Sequence, residues 1–187
     1  YNKIDLVEKA KRYPKNYLGL PEYAGHLNNI NKFDSIFFKF NQPQTKDLDI
    51  QIRLLLECTY EAIQDAKLTM KELKGSNTGV YIGSCFSDFH CAALQKDEIT
   101  GYENLGGAHT MAANRISFFF DLKGPSMAID TACSSSLVAF DRAIKDMEMG
   151  IIDKAIVGGL SLNLRPKMSK AFLEYNMLSP TGKCRSF

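Results

Sequence analysis

The chain has 187 residues, 45% hydrophobic and 24% charged, enough for one globular domain with a sizeable core. Its 23 basic and 21 acidic residues leave a net charge of +2 with no long run of either sign, which argues against nucleic-acid binding and a polybasic membrane anchor. No apolar run approaches the roughly 18–20 residues of a membrane span, and the start lacks the plan of a signal peptide.

Residues 1–47 are polar and rich in turn formers (Pro14, Gly19, Pro21, Gly25, Pro43), which predicts irregular structure and short turns. Within them the phenylalanine-dense FDSIFFKF is expected to dock on a core. In TKDLDIQIRLLLECTYEAIQDA the residues Leu48, Ile52, Leu55, Leu56, Thr59 and Ile63 recur at three- and four-residue steps. That spacing predicts an amphipathic helix, with Thr45 or Asp47 as its cap. KGSNTG then turns the chain into VYIG, a glycine-bounded apolar run predicted to be a buried strand.

Residues 84–108 read as a longer connection ending in GYENLGGAHT. MAANRISFFF is predicted helical, DLKGP breaks it, and SMAID is a second buried strand. Leu137, Phe140, Ile144 and Met147 step by three, four and three, predicting a helix from Ser134 to a stop at Gly150. AIVGGLSLNL is a third strand and PKMSKAFLEYNM a further helix. The alternation predicts an α/β fold with helices on a parallel or mixed sheet, without internal repeats or a dividing linker.

Five scattered cysteines, an odd number, argue against a disulfide framework and for a reduced, cytoplasmic setting. Cys133 has the most suggestive place, between strand SMAID and helix SSSLVAFDRAIKDM. Thiolate, not thiol, attacks a carbonyl, and a helix N-terminus favours negative charge through its unpaired amides. The same amides suit a developing oxyanion. Small neighbours (Ala132, Ser134 to Ser136) allow a sharp turn that Asp130 and Thr131 can hold. The residues alone leave a structural thiol as an open alternative, since free cysteine is often buried.

The other candidates are weaker. CFSDFHC groups Cys85, Asp88, His90 and Cys91, but C-x5-C is not a usual zinc pair, so solvated loop residues are expected and no metal site. VGGL and GYENLGG match neither dinucleotide nor P-loop patterns, and close packing explains them more simply. CSSSL is not a G-x-S-x-G elbow, so the serines are expected to shape the turn.

GPSMAIDTACSSSLVAF resembles the active-site segment of β-ketoacyl synthase domains in animal-type type I fatty acid synthases and modular polyketide synthases. LNNINKFDSIFFKF, QIRLLLECTYEAIQDA, LKGSNTGVYIG, NRISFFFDLKGPS, AIVGGLSL and NMLSPTGKCRSF resemble successive family segments in order and spacing. The resemblance spans nearly the whole chain, weakest over the first 20 residues and 84–100, and HTMAANRISFFFDLKGPSMAIDTACSSSL is closer to animal fatty acid synthase. Ile50 stands where the family usually has proline, a departure expected to alter only the helix start.

The resemblance implies a thiolase-like fold of two similar α/β halves, usually a homodimer. It carries Cys133 over as the nucleophile that accepts an acyl group from the phosphopantetheine of an acyl carrier protein. Decarboxylation of a malonyl thioester and attack on the acyl-enzyme would then give a β-ketoacyl thioester, in fatty acid or polyketide biosynthesis. No cofactor is expected to bind directly. Met111, Phe118 and Phe119 are candidates for the acyl tunnel or dimer contact, with plain core packing as the alternative. Cys184, in a loop resembling one near the substrate entrance, is not expected to be catalytic.

The family mechanism also uses two histidines in the second half of the domain, and His26, His90 and His109 match neither. Residues 1–187 therefore read as an incomplete ketosynthase domain, lacking its first strand and C-terminal half. Alone it is expected not to condense acyl chains. The alternative is a non-catalytic acyl-binding or dimerisation module with a ketosynthase-like fold.

Overall fold

The computed structural model describes residues 13–25, 27, 29–95, 97 and 101–182. Elements follow in the order α1 (Gln42–Lys46), α2 (Ile50–Asp65), α3 (Met70–Leu73), β1 (Thr78–Ser84), α4 (Asp88–Ala93), α5 (Tyr102–Gly107), α6 (His109–Phe120), β2 (Ser126–Ile129), α7 (Ser135–Glu148), β3 (Lys154–Leu160) and α8 (Pro166–Glu174). Two compact units are present: residues 33–162, and a smaller one drawn from 1–32 and 163–187.

The larger unit is built on a sheet ordered β2-β1-β3, all parallel. β1 is central and fully buried, and its alternation divides the core. Val80 and Ile82 face one cluster with Ile52, Leu56 and Ile63 of α2 and Ala112, Ala113, Ile116 and Phe120 of α6. Tyr81 faces the other, under Ala139 and Ala143 of α7. FDSIFFKF docks as expected through Phe33, Phe38 and Phe40, while Ile36 at its tip is 89% exposed.

The predicted strands and long helices are present, with three differences. Neither Thr45 nor Asp47 caps α2: Asn41 caps the separate turn α1, and Asp49 caps α2 by accepting from the Gln51 amide at 2.8 Å. Ile50 is thus the first helical residue, the position proline favours because its amide lacks an intrahelical partner anyway. The connection 84–108 contains α4 and α5, too short to leave a periodic signal. SMAID and AIVGGLSLNL are half-buried rather than buried, because β2 and β3 are the sheet's outer strands.

α7 ends at Gly150, as predicted, in left-handed backbone (φ 69°), where Gly150 and Ile151 amides donate to Met147 and Asp146 carbonyls. Its buried face is Ser135, Ala139, Ala143 and Asp146. The stripe that marks the helix points outward, with Leu137 70% and Phe140 52% exposed alongside Ile144 and Met147.

Asp146 is fully buried: its Oδ2 accepts from the Tyr81 hydroxyl at 2.7 Å and from Arg142 Nε at 3.1 Å, and its Oδ1 is ion-paired with Arg142 Nη2 at 2.9 Å. Burial, then the Asp146 bond and charge, push the Tyr81 phenol well above its ordinary range. A raised phenol stabilises the fold in full below about pH 10 and loses that contribution as pH rises through the folded value. Asp146→Ala is expected to cost about 3 kcal/mol, because it strands a buried hydroxyl and unpairs Arg142. Tyr81→Phe should cost about 1 kcal/mol and flatten the alkaline decline. Urea unfolding from pH 7 to 11 checks both.

In the smaller unit Pro166 opens α8, and the Tyr13 and Ser169 hydroxyls are hydrogen-bonded at 3.2 Å. Tyr13 stacks on Tyr17.

Candidate active site

The connection from β1 leads to α4–α6 on one face of the sheet, and that from β2 leads to α7 on the other. Their carboxyl ends are neighbours, because β1 pairs with β2 up to Gly83 and Ile129. Connections leaving to opposite faces mark a topological switch point, the usual place of the ligand site of a parallel sheet. Cys133 stands at this point, exposed, in the single 3-10 turn Ala132–Ser134 that joins β2 to α7.

The turn is strained and held. Ala132 has φ 54°, in the left-handed region that a Cβ disfavours by roughly 1–2 kcal/mol. Its amide donates to the Asp130 carboxylate at 3.0 Å. Ser135, buried, accepts from the Thr131 amide at 2.9 Å and donates to the Ala132 carbonyl at 2.6 Å. Ser134 donates to the Thr131 carbonyl at 2.8 Å. Asp130, Thr131, Ser134 and Ser135 thus shape the turn, as expected, whereas Ser136 lies against the strand glycines.

The amino end of α7 rests on two paired glycines. Gly83 and Gly159 face each other in the β1–β3 register. A Cβ on Gly83 would stand 2.4 Å from the Ser136 amide nitrogen, and one on Gly159 would stand 2.7 Å from Ser136 Cβ. Only side chains without a Cβ let the helix approach so closely. No side chain caps α7, and its amino end directly follows the turn that carries Cys133. A helix amino end beside the thiol is suited to a tetrahedral oxyanion developing there. At the same sheet edge the Ser84 hydroxyl and His109 Nδ1 are 3.2 Å apart.

The other sequence candidates lie elsewhere. Met111 packs against the α2–α6 core, and Phe119 joins Phe37, Phe38 and Phe120 in an aromatic cluster. Phe118 is 82% exposed. Gly106 and Gly107 abut the Asp47 backbone and the His90 ring, and Gly158 approaches Ile82, so the glycine-rich runs serve close packing. Among the described residues no group of three or more His, Cys, Asp or Glu side chains is placed to hold a metal ion, and no helix is long and apolar enough to cross a membrane. His26 and Cys184 lie outside the described residues.

Two features carry no mark in the sequence. One is the left-handed Ala132. The other is a buried network, 35 to 111 residues apart in the chain, of Asp49, Gln51, Ser87, Phe86 and Leu162.

Residues 3–187 match the family described as Beta-ketoacyl synthase, N-terminal domain. The chain belongs to the β-ketoacyl synthase family. It is 44% identical to a fatty acid synthase from Anser anser anser over 188 residues, covering 100% of this chain and 53% of that protein. It is 40% identical to a phenolphthiocerol/phthiocerol polyketide synthase of Mycobacterium tuberculosis, covering 88% of this chain and 9% of that protein. The ketosynthase from module 6 of the bacillaene synthase of Bacillus subtilis 168 superposes with a TM-score of 0.76 at 37% identity, over 86% of this chain and 27% of that one. The fold is therefore thiolase-like, of the ketosynthase kind, and the chain spans about half the length or less of these relatives.

Proposed function

We propose that this chain supplies the acyl-accepting cysteine of a β-ketoacyl synthase, and that residues 1–187 form part of a longer ketosynthase domain. The observation that carries the reading is the exposed Cys133 in a strained turn at the amino end of α7, beyond the neighbouring carboxyl ends of β1 and β2.

In the proposed reaction the Cys133 thiolate attacks an acyl thioester on the phosphopantetheine of an acyl carrier protein. A new S–C bond forms at Cys133, the carrier's S–C bond breaks, and the carrier thiolate leaves and takes a proton. A malonyl thioester then loses its carboxylate as carbon dioxide, and the resulting α-carbanion attacks the acyl-enzyme carbonyl. The Cys133 S–C bond breaks, the thiolate returns, and a β-ketoacyl thioester departs. Histidines elsewhere in the domain would assist the decarboxylation. Met111, Phe118 and Phe119 remain proposed contacts to the acyl chain or a second protomer, of which exposed Phe118 has the placement best suited to either.

The outward stripe of Leu137, Phe140, Ile144 and Met147 supports the longer domain, because an apolar helix face of this size normally packs on further structure. The acyl carrier protein, the homodimer and a cytoplasmic setting belong to the same reading, the last resting on the unpaired cysteines.

Thiol competition tests the proposal. Burial and the Glu61 and Glu57 charges raise the Cys58 thiol. In the intact protein iodoacetamide is expected to modify Cys133 at least about tenfold faster than Cys58, with condensation lost in step. Cys133 reacting more slowly than Cys58, Cys85 and Cys91 would leave the non-catalytic acyl-binding or dimerisation module as the better reading.

A further inference from the structure

We infer that Asp49, Gln51 and Ser87 form a clamp that positions the Cys133 turn from the opposite face of the sheet, a role that rests on Cys133 being the acyl acceptor. Gln51, 3% exposed, donates through Nε2 to the Phe86 carbonyl at 3.2 Å and accepts through Oε1 from the Leu162 amide at 2.8 Å. Phe86 follows β1 and Leu162 follows β3, so one side-chain amide bridges the two strands just past their last register pair, Ser84 and Leu160. Asp49, 1% exposed, anchors that amide. Its carboxylate accepts from the Gln51 backbone at 2.8 Å, from Gln51 Nε2 at 3.4 Å and from the Ser87 hydroxyl at 2.5 Å. Ser87 in turn accepts from the His90 amide at 2.9 Å and so begins α4.

The bridged strands are the two that seat α7. Gly83 and Gly159 lie one pair before the ends of β1 and β3, and the first turn of α7 rests on both. If the strand ends separate, the glycine pair opens and that turn tilts, carrying Cys133 and the first-turn amides with it. Polar side chains buried this deeply require every partner they have, so loss of Gln51 also strands the Phe86 carbonyl and the Leu162 amide. Nucleophile placement is sensitive: a shift of about 1 Å typically costs about a hundredfold in rate.

The test uses Gln51→Leu and the milder Ser87→Ala in the intact protein, with acyl-pantetheine as donor and Cys58 alkylation as an internal control. Acylation of Cys133 is expected to slow about 10- to 100-fold in Gln51→Leu and about threefold in Ser87→Ala, with KM for the donor changed less than about threefold. Alkylation of Cys133 by iodoacetamide should slow in step with its acylation in both, because the thiol is displaced with the turn, while Cys58 alkylation stays as in the wild type. Ser87→Ala removes one hydroxyl and keeps the bridge, so it reports even if Gln51→Leu does not fold. An unchanged acylation rate at Cys133 in a folded variant, a rise in KM that accounts for the whole loss, or a rate loss that only follows the unfolded fraction, would overturn the clamp. Absence of acylation at Cys133 in the wild type would instead overturn the nucleophile reading on which it rests.

Discussion

Gly83→Ala is expected to lower stability by about 3 kcal/mol and the melting temperature by roughly 6–12 °C. The added Cβ would lie 2.4 Å from Ser136 N, 2.6 Å from Ser135 C and 2.7 Å from Ser136 Cα. All three are backbone atoms, so no rotamer change relieves the contact, and α7 must lift from the sheet. Lifting it exposes Tyr81 and opens the contacts of Ala139 and Ala143 with the sheet. Gly159→Ala meets the Ser136 side chain instead, at 2.7 Å from Cβ and 3.4 Å from Oγ, and is expected to cost less. Ser136→Gly should therefore rescue Gly159→Ala in part and leave Gly83→Ala unrelieved. Differential scanning calorimetry of the four variants reads both outcomes. Equal losses at the two glycines would show that α7 is not seated as described.

Much of the fold could be read in the chain because its strands and helices carry different periods. VYIG between glycines gave β1, and Ile52, Leu56, Thr59 and Ile63 gave both α2 and its buried face. In α7 the same periodicity marked a helix but not its inner side. Ala139 and Ala143 lie against the sheet because only small residues fit there, while Leu137 and Phe140 face out. Periodicity reports that apolar residues share a face, not what covers it. The site divides similarly. A cysteine among small residues after a strand suggested the turn, and Asp130 and Ser135 hold it. The Gln51 bridge joins residues far apart in the chain, and no local pattern announces such a contact. Nor does an alanine announce that its backbone is left-handed.

Cys133→Ala is expected to abolish acyl transfer, with a loss of about a thousandfold or more in the intact protein, while stability changes by less than about 0.5 kcal/mol. The two effects separate because the side chain is exposed and packs against nothing in the core. The turn around it is held by Asp130, Thr131, Ser134 and Ser135, none of which bonds to the thiol. Alanine therefore removes the proposed nucleophile and leaves its seat. Cys58→Ala, remote on α2, should leave transfer intact.

The most direct measurement is the site of acylation. The intact protein is incubated with an acyl-pantetheine thioester, digested, and its peptides are mapped by mass spectrometry. The acyl mass is expected on the peptide containing Cys133, released by hydroxylamine as a thioester and absent from Cys133→Ala. Acyl mass on another residue, with Cys133 unmodified while transfer proceeds, would contradict the assignment of Cys133 as the acyl acceptor.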